Sequence, residues 1–101
     1  MPNHVIETVT FKLNEGVSRE EFAMAARAMN SYVTGCPGFI SRRLSCSEDG
    51  TWVEHIEWAG MDAAKAAAAG IGKEPDNAEF LAAINGPTVT MMHSELEVSV
   101  N

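Results

Sequence analysis

Cationic side chains and cysteines are both scarce in this chain. Seven lysines and arginines stand against fourteen aspartates and glutamates, for a net charge of −7. Nucleic-acid binding draws on a cationic face that displaces counterions from phosphates, and seven scattered cations do not build one. The same balance disfavours an anionic membrane surface. No run approaches the ~20 apolar residues that a spanning helix needs. Met1-Pro2-Asn3-His4 lacks the charged and apolar blocks of a secretory leader. Cys36 and Cys46 are the only cysteines; without a leader they read as free thiols of the cytoplasm. The three histidines form no H-x-H or H-x-x-E-H pattern, so no metal site is expected.

What remains is an ordinary globular composition, 46% hydrophobic and 21% charged. At 101 residues there is room for one domain, spanning 1–101, with one core. A domain this small leaves much of its surface exposed, and a second copy covering an open sheet face would help it.

Residues 4–13 alternate as a strand, with Val5, Glu7, Val9, Phe11 and Leu13 on one side and His4, Ile6, Thr8, Thr10 and Lys12 on the other. Ser18 and Glu21 form a capping box for a helix whose stripe is Phe22, Ala26, Met29 and Val33, and Gly35 ends it. Residues 39–46 and 51–58 read as a hairpin about Glu48-Asp49-Gly50. An alanine-rich helix follows over 61–70, and Pro75 restarts a short helix over 75–85. Gly86-Pro87 stops it, and 88–100 is the last strand. The order is that of a split βαβ, ferredoxin-like α+β fold: a four-stranded antiparallel sheet with helices on one face.

Four stretches together resemble a known family. VTFKL closing the first strand, the NEGVS turn, CPGF opening the second strand, and EDGTWVEHIEW running into the alanine-rich helix are similar to the antibiotic biosynthesis monooxygenase-like group. VTFKLNEGVS is also similar to stress-responsive A/B-barrel domains. The resemblance spans roughly residues 4–99. It implies a homodimeric α/β barrel around a small-molecule cavity and an oxygenase without metal or organic cofactor. A non-catalytic ligand-binding or stress-related barrel is the alternative, and an isomerase or decarboxylase of enolisable substrates is a third. Haem-degrading relatives use a histidine in the helical region after the third strand, whereas residues 59–87 contain none; this departure argues against haem. Trp58, Trp52, Tyr32 and Arg43 are possible counterparts of the cavity residues of cofactor-free relatives.

Strand parity supplies the candidate chemistry. On the third strand Val53, His55 and Glu57 share one face, and Trp52, Glu54, Ile56 and Trp58 the other; on the fourth, Met91, His93 and Glu95 oppose Met92, Ser94 and Leu96. With Ile6, Ile56, Trp58, Met92 and Leu96 taken as the helix-packing face, Glu7, His55, Glu57 and His93 gather on a cavity face. His55 or His93 is then the expected general base, oriented by a carboxylate such as Glu57. Glu7, Trp58, Tyr32 and Arg43 are expected against the substrate. Of Arg42 and Arg43 only one can reach the cavity, and Arg43 is the expected one. The competing reading is a set of solvated strand residues and dimer hydrogen bonds.

Overall fold

The computed structural model describes residues 3–100; Met1 and Pro2, on which part of the leader reading falls, and Asn101 lie outside it. Four strands, β1 (Val5–Phe11), β2 (Phe39–Cys46), β3 (Trp52–Trp58) and β4 (Thr90–Glu95), form one antiparallel sheet in the order β2-β3-β1-β4. The helices α1 (Arg19–Ala28), α2 (Asn30–Gly35), α3 (Met61–Ile71) and α4 (Ala78–Ala83) connect them. The expected ferredoxin-like order and the single helix-covered face are both present.

Local chemistry explains most of the boundaries. Ser18 caps α1 by accepting from the Glu21 backbone N–H at 3.1 Å. The helix expected to run unbroken to Gly35 is divided at Met29. Just there the Ala26 carbonyl accepts a hydrogen bond from the Arg42 guanidinium at 2.8 Å, which draws it away from the helical ladder. The last strand is shorter than 88–100. Val5 pairs with Glu95, and the Leu96 N–H still reaches His4 O at 2.8 Å, but β1 then offers no further partner.

Beneath the helices lies an aromatic core. Phe22 packs edge-on against Trp52 and stacks on Phe80, both at 4.8 Å between centroids, and Phe11 closes the cluster. The four apolar positions read from the α1–α2 stripe, Phe22, Ala26, Met29 and Val33, are all buried. Each large apolar side chain so buried contributes about 1.5–3 kcal/mol. A second cluster of Ile56, Trp58, Ala64 and Ala67 sits where α3 crosses the sheet. Gly38 has φ +83° and its missing Cβ would lie 2.6 Å from the Ala63 Cβ. The Pro37-Gly38 turn therefore lets α3 approach the sheet closely.

Register decides which residues share a face. In antiparallel pairs directly opposed residues point the same way. Val5, Glu7, Val9 and Phe11 oppose Trp58, Ile56, Glu54 and Trp52, so all eight face the helices. Ile6, Thr8 and Thr10 oppose Glu57, His55 and Val53 on the helix-free face. On β4, His93 opposes Glu7 and Met92 opposes Thr8. The parity expected for β1 and β4 is thus corrected: Ile6 and Met92 belong to the helix-free side, while Ile56 and Trp58 do pack under the helices. Within-strand alternation cannot reveal this, because the phase between strands is set by pairing.

Candidate active site

A cavity of about 360 Å³ lies between the sheet and the helices. Its sheet wall is Glu7, Val9, Phe11, Glu54, Ile56 and Trp58, and its roof comes from Met29, Tyr32, Ala67, Ala68, Ile71 and Phe80. The space exists because α3 presents Ala67 and Ala68 where larger side chains would meet the sheet. Apolar walls with a few convergent polar groups are the usual make-up of a small-molecule site.

Glu7 is the first polar group. Its Oε1 accepts the Trp58 indole N–H at 3.0 Å, and Trp58 is only 1% exposed. The His93 Nε2 lies 3.5 Å from the same oxygen, too long for a strong hydrogen bond but close enough for charge coupling. β1 therefore carries a carboxylate held from β3 by an indole and faced from β4 by an imidazole.

Glu54 is the second. It is 5% exposed and forks with Arg42: Nε lies 3.0 and 3.1 Å from its two oxygens, and Nη2 2.7 Å from Oε1. The third guanidinium nitrogen bonds the Ala26 carbonyl and the Asn30 Oδ1, and the group lies 5.6 Å from the Phe80 ring centroid. Burial pushes the Glu54 carboxyl above its ordinary value; Arg42 pulls against the rise and the Glu7 charge adds to it.

Tyr32 reaches the cavity from α2, donating its hydroxyl to the Ala67 carbonyl at 2.5 Å. Gly70 leaves it room, since a Cβ there would sit 2.7 Å from the phenol oxygen. Burial raises the Tyr32 pKa, with the Cys36 thiol adding to it, so the phenol stays protonated and donating at neutral pH.

The expected four-residue patch does not form. Glu7 and His93 meet, as expected, but on the helix side of the sheet; His55 and Glu57 emerge on the opposite face. There Glu57 pairs with His4 at 2.6 Å, and Arg43 stands exposed opposite His55. The His55 Nδ1 is buried without a hydrogen-bond partner among the described residues. Trp58 and Tyr32 line the cavity, whereas Arg43 does not; the arginine on the helix side is Arg42. A bulge between Phe39 and Ser41 sets that choice. Glu54 and Arg42 were the pair missed. The signal was a charged residue inside the otherwise apolar stripe Trp52, Ile56, Trp58, since a buried carboxylate demands a partner, and the hairpin puts β2 beside it. Among the described residues no cluster of histidine, cysteine or carboxylate is arranged to hold a metal. No helix there is long and apolar enough to cross a membrane.

Against known proteins, no family profile matches the chain, and no curated protein matches it in sequence. Solved structures do match. SnoaB, a cofactor-independent oxygenase from Streptomyces nogalater, superimposes with a TM-score of 0.77 at 19% identity, over 97% of each chain. The ActVA-Orf6 monooxygenase of Streptomyces coelicolor, solved with nanaomycin D, gives 0.69 at 19% identity, over 98% of this chain and 92% of its own. Rv0793 from Mycobacterium tuberculosis gives 0.69 at 16% identity, over 97% and 99%. Over nearly its whole length, the chain therefore has the ferredoxin-like α+β fold of these solved structures.

Proposed function

We propose that the protein is a small-molecule oxygenase that works without metal or organic cofactor on a phenolic or enolisable aromatic substrate. The observation that carries this reading is the apolar cavity whose sheet wall holds Glu7, bonded by the Trp58 indole and lying 3.5 Å from the His93 Nε2. A substrate hydroxyl donates to Glu7, and its proton passes by way of that carboxylate to the His93 imidazole, which lies 3.5 Å from it. The electron-rich anion left behind supplies all four electrons that reduce dioxygen, and the two hydrogens lost from the substrate, its hydroxyl proton and the hydrogen of the carbon that is oxygenated, go into the water formed. One oxygen atom enters the product as a new carbonyl and the other leaves as water. Trp58 holds Glu7 in place, and with Tyr32 and Phe11 it shapes a slot for a planar ring. SnoaB and ActVA-Orf6, which share the fold, are themselves a cofactor-independent oxygenase and a monooxygenase.

The helix-free face belongs to a second copy in this reading. Half-buried Ile6, Thr8 and Val53, exposed Met92 and the unpartnered His55 Nδ1 support a homodimer in which two sheets close a barrel. His55, Glu57 and Arg43 then act in the interface instead of in proton transfer, and the compartment is the cytoplasm. Oxygen uptake by the purified protein against a panel of phenols and quinols tests the oxygenase reading. It predicts turnover with at least one quinol, lost in His93→Ala and kept in His55→Ala. Absence of uptake across the panel, or equal loss in both variants, overturns it.

A further inference from the structure

The side chains lining the cavity differ sharply in what hydrogen bonds they have left to make. Their donors are spent: the Trp58 N–H goes to Glu7 and the Tyr32 O–H to the Ala67 carbonyl. Acceptors remain. The Glu7 Oε2 has no partner among the described residues, and the Glu54 Oε2 takes one bond, from Arg42 Nε, out of the two or so that a carboxylate oxygen can accept. Arg42, the cation paired with Glu54, is not part of the lining; its nitrogens are occupied by Glu54, Ala26 and Asn30. The two glutamates are diagonal neighbours, Glu7 opposing Ile56 and Val9 opposing Glu54. Such positions lie roughly 7–8 Å apart on one sheet face.

We infer that Glu54 is the specificity-determining residue of the cavity: with Glu7 it makes an acceptor-only wall that takes planar aromatic ligands carrying two hydroxyl donors and turns away anionic ones. The Arg42 fork holds the carboxylate of Glu54 at a set angle while leaving its second oxygen with only one of its bonds made. A dihydroxylated bicyclic ring spans the separation of the two glutamates and satisfies both, with its ring against Trp58 and Phe11. A carboxylated ring of the same size brings a third negative charge into a low-dielectric space with no donor left free among the lining side chains, which is costly. This inference rests on placing the ligand of the proposed function in this cavity and does not require turnover.

Calorimetric titration under nitrogen with a naphthalenediol and with naphthoate, two ligands of like size, reads the selection directly. The diol is expected to bind at least about tenfold tighter than naphthoate, the equivalent of about 1.4 kcal/mol. In Glu54→Gln, whose amide adds a donor, the preference shrinks at least severalfold by weaker diol and stronger naphthoate binding. Naphthoate binding as tightly as the diol to the wild-type protein overturns the inference, and that comparison needs no variant. So does an unchanged preference in a folded Glu54→Gln protein. Charge-selective binding without oxygen uptake would defeat the oxygenase reading alone, so the two failures are distinguishable.

Discussion

Replacing Arg42 with methionine leaves the Glu54 carboxylate buried at 5% exposure with no cation beside it. Removing one partner of a buried ion pair costs about 3–5 kcal/mol, because the surviving charge has neither water nor its counterion. The Ala26 carbonyl and Asn30 Oδ1 also lose a donor. A domain of this size loses about 4–8 °C of Tm per kcal/mol, so the melting temperature of R42M should fall by at least about 12 °C. The loss must also depend on pH. Burial already raises the folded-state pKa of Glu54, and the pull of Arg42 against that rise disappears in the variant. A carboxyl whose folded pKa lies above its unfolded value binds more protons when folded. Stability then falls as pH rises from the unfolded carboxylate range to the raised folded pKa. The R42M deficit should accordingly be smaller at pH 5 than at pH 8, with the paired variant R42M/E54L recovering most of it at both. Calorimetric melts at the two pH values provide the assay. A deficit below about 1 kcal/mol, or one of equal size at both pH values, refutes the reasoning, since an exposed pair would behave that way.

Trp58→Phe keeps an aromatic six-membered ring but removes the indole donor and leaves a cavity, so Glu7 loses a hydrogen bond to a charged group worth about 1.5–3 kcal/mol; denaturant titration should show a loss of at least about 1.5 kcal/mol. Ala67→Leu pushes a branched side chain into the cavity and should cut naphthalenediol affinity at least tenfold, with an overpacking cost of no more than about 1–3 kcal/mol. Gly38→Ala forces a side chain onto a positive φ and against Ala63, so thermal melts should show a loss of about 1–2 kcal/mol from the backbone alone. Asp49, which accepts from the Ser47 hydroxyl and the Thr51 N–H, is held down to about 2. Its carboxyl carbon should titrate near there by NMR, so its turn contacts persist through mild acid and loosen only as the pH drops through that value.

The element order was legible in the sequence because boundaries carry their own chemistry, as at the Ser18 cap and the Asp49-Gly50 turn, although the last helix ends at Ala83, ahead of the expected Gly86-Pro87 stop. The apolar stripe of α1 and α2 was legible for the same reason, since helical periodicity is local. Face assignment across strands was not. Whether His93 lies with Glu7 or with His55 depends on register between segments more than eighty residues apart, and a single-residue shift exchanges the faces. The Phe39–Ser41 bulge likewise made Arg42, and not Arg43, the buried arginine. The fourfold patch mixed two faces for this reason, although its Glu7–His93 half survived.

The account stands on ligands entering the space between sheet and helices. Titrating a naphthalenediol into ¹⁵N-labelled protein and following the two tryptophan indole N–H signals together with the His55 ring tests that placement most directly. The Trp58 indole, bonded to Glu7 on the cavity wall, should shift with saturation, while the Trp52 indole and the His55 ring stay in place. Saturable shifts at the His55 ring with an unmoved Trp58 indole would put the ligand on the helix-free face and contradict the account.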